Sequence, residues 1–108
     1  MASGTLAQQV LTANTDTILY TVTTGKVGVL SINFLNTHTA TSNVRLAISS
    51  TATSGSPAPQ TSQYIEYETQ IPTNGLLERT GLMVSGSYKI VVRASTANVV
   101  VNLYGFEE

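Results

Sequence analysis

The side chains able to do chemistry in this chain are few and scattered. His38 is the one histidine, in the polar run Asn36-Thr37-His38-Thr39. A metal site would need further imidazole or thiolate ligands at suitable spacing, and there is no second histidine and no cysteine. A nucleophilic triad has raw material in Asp16, His38 and many serines. However, no G-x-S-x-G elbow is present to expose a serine on a strained turn. Glu66 and Glu68 stand two apart beside Tyr64, and paired carboxylates can bind Ca²⁺ or act as acid and base. No Asp/Asn-rich loop supplies further oxygens, so the simpler expectation is pairing across strands to Lys or Arg. Arg79, beside Glu78, reads as a cross-strand or cross-subunit partner, and Glu107-Glu108 as a disordered acidic end or a contact to a neighbour's basic residue. Gly25, Gly28, Gly81 and Gly86 match neither the dinucleotide nor the P-loop spacing. No catalytic residue, cofactor, metal or small-molecule ligand is assigned, and an enzyme is not expected.

Composition narrows the partners. The 108 residues suit a single domain spanning 1–108. Charged residues are 10% and the net charge is −1, so the basic footprint of a nucleic-acid binder and the polybasic patch of a membrane binder are both missing. With 42% hydrophobic residues, the chain lacks the signature of disorder. Absence of cysteine removes disulfides and thiolate chemistry. Polarity is carried by Thr, Ser and Asn, and a surface with so little charge is weakly protected against association. The opening MASGTLAQQVLT has no basic residue and no long apolar run, so neither a signal peptide nor a membrane span is expected.

The elements that must position these residues are strands. Residues 1–12 read as a short strand or as a flexible or partner-docking arm. Thr17–Thr23 alternates, with Ile18, Tyr20 and Val22 on one face. Val27–Asn36 places Leu30, Ile32 and Phe34 together, and Asn43–Ser50 places Val44, Leu46 and Ile48 inward. Ser50–Ser62 is rich in Ser, Thr, Ala, Gly and Pro and reads as a long exposed loop of the functional or mobile kind. Gln63–Thr69 carries Ile65 and Tyr67 on one face, opposite Tyr64, Glu66 and Glu68. Leu76–Val84 is interrupted by Gly81, which marks a bulge or bend. Seven to eight short strands without helical periodicity predict an all-β fold, a single antiparallel β-sandwich or barrel.

The stretch Ser87–Phe106 reads as a hairpin turned at Thr96-Ala97-Asn98. Ile90, Val92, Val99, Val101 and Leu103 form its core face. The opposite face carries Lys89, Val91, Arg93, Val100, Asn102 and Tyr104, too apolar for open water. That face is the candidate interface: Val91, Arg93, Val100, Asn102 and Tyr104, joined by Arg79 and Tyr64. Tyr is enriched in protein interfaces, and the absence of Trp weakens a carbohydrate platform.

The segments ILYTVTTGKVGVLSINFLN and YIEYETQIPTNGLLERTGLMVSGSYKIVVRASTANVVVNLYGFEE resemble small virion structural proteins of tailed bacteriophages, over nearly the whole chain. YTVTTGK, the P-x-N-G-x-LERTG segment and the closing VRASTANV…YGFEE carry the likeness. The resemblance implies a β-sandwich or jelly-roll protein on the virion, assembled in the host cytoplasm. Its implied role is capsid decoration or cement, or alternatively a tail-, collar- or fibre-associated module that docks virion proteins or recognises a host glycan. The implied partners are further copies of itself, with a trimer suited to a three-fold position, and the major capsid protein.

Overall fold

The protein is described by a computed structural model over residues 3–108. Met1 and Ala2, the first residues of the expected strand or arm, lie outside the described residues. Eight strands follow in order: β1 (Ser3–Val10), β2 (Thr17–Thr21), β3 (Val27–Asn36), β4 (Ser42–Ser49), β5 (Tyr64–Ile71), β6 (Leu76–Ser85), β7 (Lys89–Ala94) and β8 (Val99–Glu107). A single 3₁₀ turn, Thr61–Gln63, precedes β5. The strands form two four-stranded antiparallel sheets, β1-β8-β3-β6 and β2-β7-β4-β5. This is the strand order of a double-sheet jelly roll, an eight-stranded form of the antiparallel β-sandwich that the strand spacing predicts.

Only the β4–β5 connection stays within one sheet; every other connection crosses to the opposite sheet. The expected Ser87–Phe106 hairpin is therefore an arch. β7 pairs with β2 and β4, while β8 pairs with β1 and β3. Hairpin and arch share one apolar pattern, because both point alternate residues into a common core. The predicted inward set is correct, with Ile90, Val92, Val99, Val101 and Leu103 all fully buried. They face one another across the sandwich instead of lying side by side.

The main core gathers Leu30, Ile32 and Phe34 of β3, Val44 and Leu46 of β4, Leu82 and Val84 of β6, and the inward residues of β7 and β8. The Gly81 expectation holds: Leu30 pairs with Leu82 but Ile32 pairs with Arg79, and Gly81 takes a φ of 68° within the extra residues. The shift moves the inward set of β6 from Leu77 and Arg79 to Leu82 and Val84. A similar effect overturns the reading of β5. Two register shifts against β4, with Glu68 at φ 54°, turn Tyr67 outward to 58% exposure and place Glu66 and Glu68 on different faces.

Two carboxylates tie the sheets together at opposite sides. Glu66 of β5 receives hydrogen bonds from Arg79 of β6 and from Thr69 Oγ1 at 2.6 Å. Glu107 of β8 is buried and accepts from the Tyr20 hydroxyl at 2.6 Å and the Thr23 amide at 3.0 Å. The expected acidic tail is thus a strand end. Its backbone is fixed by reciprocal bonds between Val27 and Glu108 at 2.9 and 3.0 Å. The Tyr20 hydroxyl, followed by the Thr23 amide, holds the Glu107 carboxyl below its ordinary range. Burial, reinforced by Glu107, pushes the Tyr20 phenol up to about 12.

The signs of the two shifts differ in consequence. The lowered Glu107 contributes stability that is present above its unfolded value and is lost as pH falls through its folded one. The raised Tyr20 contributes stability that is full below its unfolded value of 10.0 and is lost as pH rises toward about 12. Thermal midpoints measured across pH should fall in both windows, and Tyr20→Phe should flatten the alkaline fall relative to the parent. A second test addresses β8 itself. Gly105 sits at φ 146°, where a Cβ would run into the Val29 carbonyl oxygen and lie 3.0 Å from Leu30 Cα. Gly105→Ala should cost about 2 kcal/mol or more by urea unfolding, whereas Gly55→Ala, with open space around it, should stay within about 0.5 kcal/mol.

Candidate interaction surface

A jelly roll has two outer faces, and here they differ. On the β2-β7-β4-β5 sheet, Val91 and its register partner Ala47 point outward but are buried. Ala52 covers them, with Ile18 and Tyr64 packed alongside as a second small core. The Ser50–Ser62 segment is accordingly a cover anchored by its own hydrogen bonds. Ser49 Oγ accepts from the amides of Thr51 and Ala52 at 3.2 and 3.0 Å. The Gln63 side chain accepts from the Gln60 amide at 2.9 Å.

Beyond that cover, two arginines on this sheet are matched with carboxylates. Arg93 lies 3.3 Å from Asp16, and Arg45 lies 3.0 Å from Glu68. The Arg45 guanidinium sits 4.5 Å from the Tyr67 ring centroid, and Tyr67 meets Tyr64 edge to face at 4.9 Å. An open groove of about 580 Å³ runs between β2 and the loop, lined by Asp16, Thr17, Ile18, Thr21, Ser54, Pro57 and Lys89. Among the described residues no group of three or more His, Asp or Glu gathers to hold a metal.

The β1-β8-β3-β6 sheet has no such cover. Of nine exposed large hydrophobic side chains among the described residues, seven lie on its outer face: Val10, Val27, Leu35, Leu76, Met83, Tyr104 and Phe106. The other two are Tyr67 and Tyr88. Register arranges the face into cross-strand rows. Val10, Val100, Leu35 and Leu76 form one apolar row across all four strands. At the other end Phe106, Val29 and Met83 form a second, with Ser3 at its edge. Between them run a row of Thr5, Tyr104 and Ser31 and a row of Gln8, Asn102, Asn33 and Glu78. Two hydrogen bonds stiffen the middle: Gln8 Nε2 to Asn102 Oδ1 at 2.9 Å, and the Tyr104 hydroxyl to Glu78 Oε2 at 2.8 Å. The bond to Glu78 is the main cause that raises the Tyr104 phenol above its ordinary value.

The seven residues expected to form one interface therefore fall in three places. Val100, Asn102 and Tyr104 share the open face. Val91, Arg93 and Tyr64 belong to the opposite sheet, Val91 beneath its own loop and Arg93 in an ion pair. Arg79 points between the sheets to Glu66. The single patch assumed that β7 and β8 were neighbours in one sheet, and they are not. The residues missed are Val10, Val27, Leu35, Leu76, Met83 and Phe106. Alternation already marks Val29 and Leu35 as opposite the core, but only strand order shows which rows they complete. Comparison with family models, curated proteins and solved structures finds no match for the chain.

Proposed function

We propose that this chain is a structural protein of a virion, a capsid decoration or cement protein that works by burying the outer face of the β1-β8-β3-β6 sheet against neighbouring chains on the particle. The observation carrying this reading is the uncovered face holding seven of the nine exposed large hydrophobic side chains among the described residues. Patches of this kind mark interaction sites in proteins that are otherwise well covered. The fold supports the reading by analogy, since jelly rolls recur in viral capsid and lectin domains, though fold alone does not assign function. The segments YTVTTGK and VRASTANV…YGFEE, through their likeness to phage virion proteins, favour the capsid side of that analogy. Glycan recognition through Tyr64 draws less support. Tyr64 is partly buried against the small second core and meets Tyr67 edge to face, so its ring is held in the surface instead of standing free for a sugar.

A cement protein needs no catalytic group. It binds the assembled lattice better than the dissociated one and shifts the equilibrium toward the particle by mass action. A face nearly free of charge suits this role, because its binding depends little on ionic strength.

Purified particles should carry many copies of the chain in a fixed ratio to the major capsid protein, measured by quantitative mass spectrometry. Val100→Lys and Leu76→Glu should abolish rebinding to stripped particles, while Tyr67→Ser on the opposite sheet should rebind normally. A handful of copies per particle would place the protein at the tail, collar or fibre. Undiminished rebinding of both face variants would refute the role of this face.

A further inference from the structure

The open face has a banded polarity that any occupant must match. Along the strands its rows run apolar, hydroxyl-rich, amide-rich and apolar, with β3 contributing Val29, Ser31, Asn33 and Leu35 in turn. The two apolar rows stand about 20 Å apart, and each spans three or four strands, a width of about 10 to 14 Å. The sole formal charge in the four rows is Glu78, already engaged by the Tyr104 hydroxyl. A partner must match two apolar bands at this separation, with uncharged polar groups between them. A second copy of this chain satisfies that condition by construction.

We propose that the outer face of the β1-β8-β3-β6 sheet pairs with the same face of a second copy about a twofold axis lying in the plane of contact. An isologous contact requires a self-complementary patch, and this face is self-complementary in the two orientations that keep the strands of the copies aligned. An axis along the strands sets each row on itself. An axis across them sets the Phe106 row on the Leu35 row, and the hydroxyl row on the amide row. This inference rests on reading the face as an interface and specifies what occupies it, in place of the threefold arrangement implied by the resemblance.

The size of the face fixes how tightly such a pair can hold. Four strands about 4.8 Å apart and eight residues of about 3.4 Å each give roughly 500 Å² in projection. A standard interface buries about 800 Å² per partner. The relief of the exposed side chains raises the contact area above its projection, so the pair belongs at the lower end of specific interfaces, and its association depends on concentration.

Light scattering of the purified full chain across a concentration series should show the mass rising from one chain to two. Met83→Glu and Leu76→Glu, one in each apolar row, should each raise the dimer dissociation constant by about tenfold or more, because every substitution enters the contact twice and desolvates a charge. Both side chains are largely exposed, at 72% and 58%, so circular dichroism should show an intact fold. The cysteine-free chain offers a second readout. Ser31→Cys, near the centre of the face, should be linked to its copy by a short thiol-reactive bifunctional crosslinker that spans about 10 Å between facing sheets, and Ser54→Cys, on the covering loop, should not. A parent chain that stays monomeric at all concentrations, or a dimer indifferent to both glutamates, would overturn the pairing. If Leu76→Glu still abolished particle rebinding in that event, the interface reading would stand with another virion protein as occupant. If it left rebinding intact as well, both would fall.

Discussion

The packing of the inner face of β3 on the opposite sheet, with Leu30, Ile32 and Phe34 set against Val44, Leu46, Ile90 and Val92 in one cluster, is the contact on which the molecule depends. It forms only when strands distant in sequence are brought together, because six of the seven connections pass from one sheet to the other. Local pairing contributes a single hairpin, β4–β5. Even that hairpin spans the long Ser50–Gln63 connection, and every ladder spends entropy of closure before its contacts return anything. The fold is thus a low-charge, non-local structure, secured at its sides by Glu66–Arg79 and Glu107–Tyr20.

The inward residues were legible because period-two alternation survives any arrangement of strands. Leu30, Ile32, Phe34, Val44, Leu46, Ile90, Val92, Val99, Val101 and Leu103 are all in the core. Gly81 was legible too, since a glycine interrupting an alternating run has few other meanings. Sheet order was not. A chain crossing from β7 to β8 through Ser95–Asn98 shows the same apolar spacing as one turning back on itself. The bulges of β5 were also hidden: no glycine marks them, and Glu68 takes the left-handed conformation that the spacing of Ile65 and Tyr67 did not betray. Because the surface follows from sheet order, the candidate site was legible only in part. Val100, Asn102 and Tyr104 were found from their own strand, and their neighbours on β1, β3 and β6 were not.

The two carboxylates show why charged residues were hard to interpret in sequence. Glu66 and Glu107 look like surface acids in a sparsely charged chain. Each occupies an inward position at the rim of the sandwich, where burial would be costly without partners. A phenol, a backbone amide, a hydroxyl and a guanidinium supply them. Glu66, one of the two carboxylates spaced as an acid–base pair, and Glu107, spaced as part of an acidic tail, are here bolts between layers.

The loop from Ser50 to Ser62 gives the molecule a front and a back. Its tip, closed by paired backbone bonds between Thr53 and Ser56 at 3.0 and 3.1 Å, belongs to the cover of one sheet, and the bare face belongs to the other. Gly55 at that tip has open space around it. A peptide or small domain spliced there would leave the bare face unencumbered and project from the far side. Mounted by its bare face, the protein becomes a platform that presents such an insertion outward.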